Sequence, residues 1–262
     1  MFDFLYGLSD MSVFVLMAFA TIAFSLLFVV LNKFFKFYKL KYIDNTTTAS
    51  VASLIGIVYG VLAGFLCLYL LNNQDHASNA ALDEGTAAAN IYHESRWLNN
   101  PYQKQIQAYL KTYLSVAINK EWPEMAKGNL PHRDNAYLIA EMSDSLISYP
   151  ITTLRDALVI NNIKQDIRSL LKGREERIEM GGSQLTSGIW NVIILSTALI
   201  IIINYAFRVN FKLHIFGLTS FALMAASVLF LLVTLDRPFE GEFAVAPDAL
   251  NTVLDSMTHD GA

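Results

Sequence analysis

The chain contains little of what stabilises small secreted domains or binds nucleic acid. It has one cysteine, Cys67, so no intramolecular disulfide can form, which leaves the compartment open because bacterial periplasmic domains can lack disulfides. Its formal net charge of −4 at pH 7 gives no reason to expect nucleic acid as a partner. Charged residues make up only 16% of the chain, whereas hydrophobic residues make up 54%. This balance favours a membrane protein, since about 25% of residues are charged in soluble chains.

Motifs for catalysis and for metal binding are also missing from the sequence. None of the five histidines lies in an H-E-x-x-H pattern, and none follows a glutamate by three positions. There is no C-x-x-C pair and no glycine-rich phosphate loop. The His93-Glu94 pair is interpreted as packed or solvated rather than as an acid–base or metal site. We therefore predict no enzyme activity, no metal and no cofactor.

Four apolar runs contain no Lys, Arg, Asp or Glu. They cover residues 12–31, 49–71, 188–207 and 213–235. Each is about 20 residues long, which matches the hydrocarbon core of a bilayer, so we predict four membrane-spanning helices. The first run is not interpreted as a cleaved signal peptide, because acidic residues but no Lys or Arg precede it.

The apolar runs form two pairs with a polar insert between them. We predict a first transmembrane hairpin over 1–72, a helical extramembrane insert over 73–187, a second transmembrane hairpin over 188–236 and an acidic tail over 237–262. Apolar residues recur at three- and four-residue spacing in the insert, as in a helix predicted over 151–180 with Leu154 and Leu158 on its apolar side. Strand alternation is missing, so the predicted fold class is an all-α membrane protein.

Positive charge is concentrated in the two short connections between spans. Residues 32–48 contain four lysines, and residues 208–212 contain an arginine and a lysine. Because basic short loops mark the cytoplasmic side, we predict a bacterial inner (plasma) membrane protein with its insert and termini in the periplasm. The basic residues at 168–177 weigh against this orientation, because they flank the third span on the other side.

The second span carries small residues at a regular four-residue spacing. This stripe consists of Ala52, Gly56, Gly60 and Gly64, with Tyr59 as the bulky polar group beside it. Small residues on one face let two membrane helices approach closely, which is the first interpretation. The second is that the stripe lines or flexes the pore of an oligomer, where an apolar lining could gate by dewetting.

Two further motifs in the insert are candidates for a structural or functional role. Arg174 and Arg177 lie one turn apart, so they form either a solvated helix face or a basic rim that concentrates anions near a pore mouth. Glu121 and Trp122 end an amphipathic helix before a proline, and Trp122 is interpreted as part of the insert core.

The fourth span ends in the sequence LDRPFEGEF, in which Pro238 cannot continue the helix. We interpret Asp236, Arg237, Pro238 and Phe239 as a clamp at the membrane boundary. Adjacent helical residues do not face each other, so Asp236 and Arg237 are expected to meet different partners. We expect Asp236 to meet a base such as Arg174 or Arg177, and Arg237 to meet an acid of the insert or of a neighbouring subunit.

The motifs EWPEM, GREERI, IWNV and LDRPFEG, in this order between two span pairs, resemble the bacterial bestrophin-like domain family. The resemblance covers about residues 49–247 and extends more distantly to bestrophins, which are four-span, pentameric ion channels whose second span lines the pore. Bestrophins carry a calcium-binding acidic run after a similar Pro-Phe motif. Here Gly241 separates Glu240 from Glu242, and so few carboxylates make a poor calcium site, so no calcium is expected. Bestrophins place their large domain in the cytosol, whereas the loop charges here favour the periplasm.

Two functions are compatible with these features. The first is an oligomeric bestrophin-like ion channel, anion-conducting by resemblance, with the second span near the pore. Its expected partners are membrane lipid, small inorganic ions and further copies of the chain, five in all by resemblance. The alternative is a membrane-anchored scaffold or sensor whose helical insert binds a partner.

Overall fold

The computed structural model describes residues 8–35, 45–131, 135–182, 184–205 and 211–259, and the regular structure in these ranges is helical. A π-helical turn, Ala117–Glu121, joins the third helix to the fourth. The α-helices are α1 (Asp10–Phe35), α2 (Asn45–Ser95), α3 (Tyr102–Val116), α4 (Trp122–Ala126), α5 (Ala136–Ile147), α6 (Leu154–Gly181), α7 (Ser187–Tyr205), α8 (Phe211–Leu235) and α9 (Asp248–His259). The chain divides into two compact units, Met1–Leu71 with Gln184–Asp236 and Asn72–Ser183 with Arg237–Ala262.

The first unit, called here the membrane unit, contains α1, the first part of α2, α7 and α8. Helices α1, α2, α7 and α8 are each long and apolar enough to cross a bilayer. This confirms the prediction of four membrane-spanning helices in an all-α protein. The agreement follows because a span is encoded locally, by about 20 consecutive apolar residues.

The helices of the membrane unit do not pack mainly with their neighbours in sequence. Helix α1 makes its most extensive contact with α8, and Phe14 of α1 meets Phe230 of α8 edge to face, with ring centroids 5.4 Å apart. Helix α8 also contacts α7. A short connection restrains only one end of a helix pair, so complementary faces decide which helices pack along their length. Residues 36–44 and 206–210, which join the predicted hairpins, lie outside the described residues.

The second unit, called here the insert unit, combines the predicted insert with the residues after the fourth span. Helix α3 packs against α5 and α9, and α5 packs against α6. Helix α9 buries Leu250, Val253 and Met257, whose spacing of three and four residues forms one apolar face. The segment predicted as an acidic tail therefore contributes to the hydrophobic core of this unit.

Helix α6 is the long helix predicted over 151–180, and it begins with a capping box. The Thr153 side chain accepts a hydrogen bond from the Asp156 amide, and the Asp156 carboxylate accepts one from the Thr153 amide. The expected burial of Leu154 and Leu158 is wrong, because both are exposed and Leu154 is 79% accessible. Burial begins at Ile160, because periodicity indicates a helix face without indicating how far the neighbouring helices extend.

Candidate functional site

Five polar side chains meet in the interior of the insert unit and form what is called here the Arg–Glu centre. Glu84 comes from α2, Tyr113 from α3, Glu121 from the π-helical turn, and Arg174 and Arg177 from α6. Positions 174 and 177 lie on the same side of their helix because they are three residues apart. The centre thus joins three parts of the chain that are far apart in sequence, which are α2, α3 with the π-helical turn that continues it, and α6.

The two guanidinium groups bind the two carboxylates directly. Arg174 donates from Nε and Nη2 to Glu121 Oε1, at 3.1 and 2.7 Å. Arg177 donates from Nη2 to Glu121 Oε2 at 2.8 Å and to Glu84 Oε1 at 3.0 Å, and from Nε to Glu84 Oε2 at 2.5 Å. The Tyr113 hydroxyl donates to Glu84 Oε1 at 2.5 Å. Two acids and two bases therefore cancel in charge, which such deep burial requires.

Aromatic and sulfur contacts enclose the centre. The Arg177 guanidinium lies over the Trp122 ring, 4.7 Å from its centroid, and its Nη1 lies 3.5 Å from the Met125 sulfur. The Trp122 indole donates to the Val245 carbonyl at 2.9 Å and meets the Phe239 ring edge to face at 5.5 Å. Cation–π and edge-to-face contacts of this kind add to the stability of a desolvated charge.

Three members of the centre, Tyr113, Glu121 and Arg177, have shifted pKa values. Burial raises the pKa of the Tyr113 hydroxyl well above its usual value, and the Glu84 carboxylate raises it further. Burial also acts to raise the pKa of Glu121, but Arg174 and Arg177 more than offset this, so that pKa is lowered. Burial acts to lower the pKa of Arg177, but Glu84 raises it more. Tyr113 therefore stays neutral while Glu121 and Arg177 stay ionised, which suits a structural role rather than proton transfer.

The centre corrects both interpretations of Arg174 and Arg177. They form neither a solvated face nor a basic rim, because they are only 3% and 0% exposed. The exposed pair on the same helix is Lys172 and Glu176, with Nζ and Oε1 3.5 Å apart. Gly173 is the residue in the sequence that could have indicated a buried, closely packed face here, since a Cβ on it would lie 2.9 Å from the Glu84 amide nitrogen. The small residue lets α6 approach α2 closely enough for the ion pairs.

The division between the two units falls inside the boundary motif, between Asp236 and Arg237. In the membrane unit, buried Asp236 accepts a hydrogen bond from the Leu185 amide at 2.7 Å. Arg174 and Arg177, the bases expected for Asp236, bind Glu84 and Glu121 in the insert unit, and the base that meets Asp236 stays a prediction. In the insert unit, Arg237 binds Glu240 at 2.9 Å.

Residues 238–245 form a compact turn within the insert unit. The Val245 amide donates to the Pro238 carbonyl at 2.8 Å, and Gly241 adopts a φ of 89°, which favours glycine. Phe239 is buried against Trp122, and the Gln74 side-chain amide donates to the Phe243 carbonyl. Among the described residues, no group of three or more His, Cys, Asp or Glu side chains is arranged to hold a metal ion.

The small-residue stripe of α2 divides into two parts in the membrane unit. Ala52 and Gly56 are half-buried, and a Cβ on Gly56 would meet Ile200 at 3.7 Å. Gly60 and Gly64 are exposed, and a Cβ on either would meet no described atom within 4 Å. Tyr59 is buried away from these two positions, with its hydroxyl 3.2 Å from Thr197 Oγ1. Close packing within this unit therefore does not explain Gly60 and Gly64.

Solved structures similar to the chain cover almost all of it. A crystal structure of a bacterial bestrophin homologue from Klebsiella pneumoniae, a leucine-to-threonine variant, has a TM-score of 0.70 at 10% identity and covers 95% of this chain and 99% of its own. A tyrosine-to-alanine variant of a homologue from the same organism has a TM-score of 0.69 at 12% identity, with 94% and 97% covered. A membrane protein with a proline-to-alanine substitution has a TM-score of 0.70 at 11% identity, with the same coverage.

These structural similarities establish the fold, and a family model establishes the family. No curated protein matches the sequence. The family described as Bestrophin-like domain matches residues 17–250, which include most of the first span, the other three spans in full and the Arg–Glu centre. The chain therefore belongs to the bestrophin-like domain family.

Proposed function

We propose that this protein is a homo-oligomeric ion channel of the bestrophin-like type, with the second span near the pore. Membership of the bestrophin-like domain family supports the proposal. Bestrophins, which the chain resembles more distantly, are pentameric ion channels whose second span lines the pore. The structural observation that carries it is the open face of α2 at Gly60 and Gly64. Small residues left uncovered within one protomer are suited to a position beside a pore or beside a neighbouring copy.

The residues of the membrane spans fit an ion channel better than a charge-coupled transporter. Leu54 and Phe65 on α2 are 64% and 68% exposed, so an apolar surface flanks the two glycines. The four predicted runs contain no acidic residue, lysine or arginine, although proton-coupled transport usually needs such groups within the membrane. An apolar constriction can control ion flow by losing its water, and glycine would set its width.

The proposed permeant ion is a small inorganic anion, by resemblance to bestrophins. The proposed location is a bacterial inner membrane with the insert and both termini in the periplasm, on the strength of the basic connections. Topology reporters fused at Lys39 and at Asn129 test this orientation. A cytoplasmic signal at Lys39 and a periplasmic one at Asn129 are expected, and the reverse pattern contradicts it.

Ion flux into liposomes that contain the purified full chain tests the channel. We expect Gly60→Leu and Gly64→Leu to reduce chloride flux strongly, because a bulky side chain would enter the pore or its subunit interface. Gly217→Leu on α8 is the matched control, because a Cβ on Gly217 also meets no described atom within 4 Å. Unchanged flux in both α2 variants, or a protein that is monomeric in mild detergent, contradicts the proposal.

The alternative is a membrane-anchored scaffold or sensor whose insert binds a partner. One observation favours it: Ile147, Ile151 and Leu154 expose much of their apolar side chains on the insert unit. Such exposure is typical of an interaction surface when the residues form one patch. An oligomer that conducts no ion in liposomes but captures a partner through Leu154 would support this function over the channel.

A further inference from the structure

The segment from Phe243 to Pro247, called here the apolar loop, begins inside the compact turn that follows the fourth span. Its sequence, FAVAP, carries no charge, and none of its five residues is buried in the protomer. Phe243 itself is 57% exposed. Single apolar side chains on a surface are ordinary, whereas a contiguous apolar stretch often marks an interaction site. The apolar loop therefore points to a partner outside the described part of the protomer.

Hydrogen bonds hold the backbone of the apolar loop in place. The Gln74 side-chain amide of α2 donates to the Phe243 carbonyl, and the Trp122 indole donates to the Val245 carbonyl at 2.9 Å. The Val245 amide donates to the Pro238 carbonyl at 2.8 Å. Phe243 is thus exposed on a fixed backbone, so a partner can bind its ring without first ordering the loop.

Gln74 fixes the height of the apolar loop above the membrane span of α2. It lies three residues after Leu71, the last residue of the apolar run 49–71, and α2 is one continuous helix. A rise of about 1.5 Å per residue places Gln74 about 4.5 Å beyond Leu71, and tilting the helix only lowers this height. Helix side chains slant toward the N-terminus, which for Gln74 is toward the span. The Phe243 carbonyl, which Gln74 binds, is therefore expected at the level of the lipid headgroups, a layer about 5–7 Å thick on each side of a bilayer.

The fourth span leads to the same height by a second route. Pro238 follows Leu235, the last residue of α8, by three residues, so it lies within about 11 Å of the end of that helix. The Val245 amide is bonded to the Pro238 carbonyl, which keeps the apolar loop beside this exit. The second and fourth spans end on the same side of a membrane, because the chain crosses the bilayer twice between their exits. Both spans therefore bring the apolar loop to one bilayer surface.

We infer that the apolar loop is a membrane-contact site, with the Phe243 ring seated among the lipid headgroups of the bilayer that holds the spans. Aromatic and aliphatic side chains favour this interfacial layer. Because the loop carries no charge, burial of apolar surface drives the contact, and neither anionic lipid nor salt should change it.

The contact also borders the Arg–Glu centre. The Val245 carbonyl of the apolar loop binds Trp122, whose ring lies over the Arg177 guanidinium at 4.7 Å. The bilayer surface thus supports the segment that covers the centre. The inference does not rest on ion conduction, so vesicles that pass no ion leave it untouched, and its failure leaves the channel proposal untouched.

Quenching by brominated lipid tests the contact in vesicles that contain the full chain. Phe243→Trp and the matched control Leu82→Trp each add one indole to the three native tryptophans, and both positions are 57% exposed. Leu82 lies on the same helix as Gln74 but about 16 Å beyond Leu71. We expect phosphatidylcholine brominated near the headgroup end of its chains to quench most of the fluorescence added at position 243 and almost none of that added at position 82. Equal quenching of the two, or none at position 243, overturns the inference.

Two further lipid mixtures test the depth of the ring and the driving force. Phosphatidylcholine brominated near the chain ends should quench the indole at position 243 less, because the ring is expected among the headgroups rather than in the hydrocarbon core. Adding phosphatidylglycerol or raising the salt concentration should leave the quenching unchanged. Stronger quenching by the deep bromine, or a contact formed only with anionic lipid, contradicts the inference.

A spin label distinguishes lipid from a protein partner. Cys67 is the single cysteine, so Phe243→Cys and Leu82→Cys can each be labelled alone in a Cys67→Ala background. Oxygen concentrates in the bilayer, whereas a nickel chelate stays in water. We therefore expect the ratio of oxygen accessibility to nickel accessibility to be severalfold higher at position 243 than at position 82. A label at position 243 that is shielded from both reagents would mean that another protein chain covers the apolar loop, and would overturn the inference.

Gln74→Ala tests whether α2 holds the apolar loop at this height. In the Phe243→Trp protein, we expect Gln74→Ala to reduce the quenching by bromine near the headgroups, whereas Asn79→Ala, at an exposed position of the same helix, should not. Circular dichroism and the thermal midpoint check that each variant is folded. Unchanged quenching in a folded Gln74→Ala protein contradicts the positioning on which the inference depends.

Discussion

Glycine has opposite roles in the two units of this protein. In the membrane unit, Gly60 and Gly64 have open space where a side chain would be. In the insert unit, a Cβ on Gly85 would lie 2.6 Å from the Cβ of Ala249, and one on Gly173 would lie 2.9 Å from the Glu84 amide nitrogen. The insert glycines are therefore required for helices to approach, whereas the fold of the protomer gives no reason for the two membrane glycines.

The two units also differ in how they use charge along one helix. The part of α2 in the membrane unit has no charged residue from Thr46 to Leu71, but Glu84 in the insert unit is fully buried. A buried carboxylate is tolerated only with partners, and Arg177 and Tyr113 supply them. The insert unit thus depends on specific partners that the membrane unit does not need, which sets the order of the effects expected below.

The largest effect should come from removing the shared base of the Arg–Glu centre. Arg177→Leu leaves Glu84 without its base and Glu121 with only Arg174, and we expect the unfolding free energy to fall by about 3–5 kcal/mol, the usual result of breaking a buried ion pair. Chemical denaturation of the detergent-solubilised protein, followed by circular dichroism, measures this loss. Lys172→Leu, on the exposed side of the same helix, should change it by less than about 0.5 kcal/mol.

If Arg177→Leu lowered the unfolding free energy less than Lys172→Leu, the Arg–Glu centre would not be what stabilises the insert unit. The comparison is controlled because both substitutions remove one positive charge from α6 and add the same side chain. Only the depth of the site and its partners differ, since Arg177 is buried and Lys172 is 76% exposed at its side chain.

The next effect tests the glycine comparison itself. Gly173→Ala should lower the unfolding free energy by about 1–3 kcal/mol, because the added methyl group overlaps the backbone of Glu84 and cannot move aside. Gly60→Ala should leave it unchanged or raise it by up to about 1 kcal/mol, because the site is open and alanine is the better helix former. The same denaturation measurement applies to both.

If Gly60→Ala and Gly173→Ala lowered the unfolding free energy equally, the glycines of the two units would not differ in how tightly they are packed. Such a result would mean that neighbouring copies cover Gly60 as tightly as Glu84 covers Gly173. Repeating the measurement at protein concentrations low enough to dissociate the oligomer would then separate the two causes, because only a contact between copies depends on concentration.

The sequence predicts the four spans well because each is a local property of about 20 residues. It also predicts the long helix α6, whose capping residues and apolar periodicity are local too. The family resemblance is found for a related reason, because Glu121, Trp122, Arg174 and Phe239 lie in the short motifs EWPEM, GREERI and LDRPFEG. Their convergence on one interior site could not be predicted, because it depends on contacts between distant segments.

Glu84 shows why the sequence alone did not predict every residue of the Arg–Glu centre. It lies in the stretch ALDEGTAAAN, whose acids and small residues are typical of a solvated helix. Nothing local distinguishes buried Glu84 from its neighbour Asp83, which is exposed. The distinction arises only when α6 places Arg177 opposite Glu84, and the same missing partner led to the wrong interpretation of both arginines as surface residues.

The smallest effect concerns carboxylates near the surface of the insert unit, where α2 and α6 also meet. Burial and the charge of Asp166 raise the pKa of Glu94, and burial raises the pKa of Asp166 itself. The Asn162 amide donates to Glu94 at 3.3 Å, and the Asn90 amide donates to Asp166 at 3.4 Å, which only partly offset the raised values. Two carboxylates thus repel each other here without the guanidinium groups that neutralise the centre.

A raised folded-state pKa means that the folded chain binds protons more tightly than the unfolded one, so stability falls as the pH rises through that value. We therefore expect Asp166→Asn to stabilise the protein at pH 7 by less than about 1 kcal/mol, and the gain to vanish as the pH falls below about 3.9, the usual pKa of aspartate. The pKa of Asp156, on the same helix, is shifted in the opposite direction, because hydrogen bonds from Thr152 and Thr153 lower it. Asp156→Asn should destabilise the protein at pH 7, and that loss should vanish only as the pH falls below about 3.9 and through the lowered pKa. Thermal midpoints of both variants between about pH 2 and 7 test this pair, and shifts of the same sign at pH 7 would show that charge is not the cause.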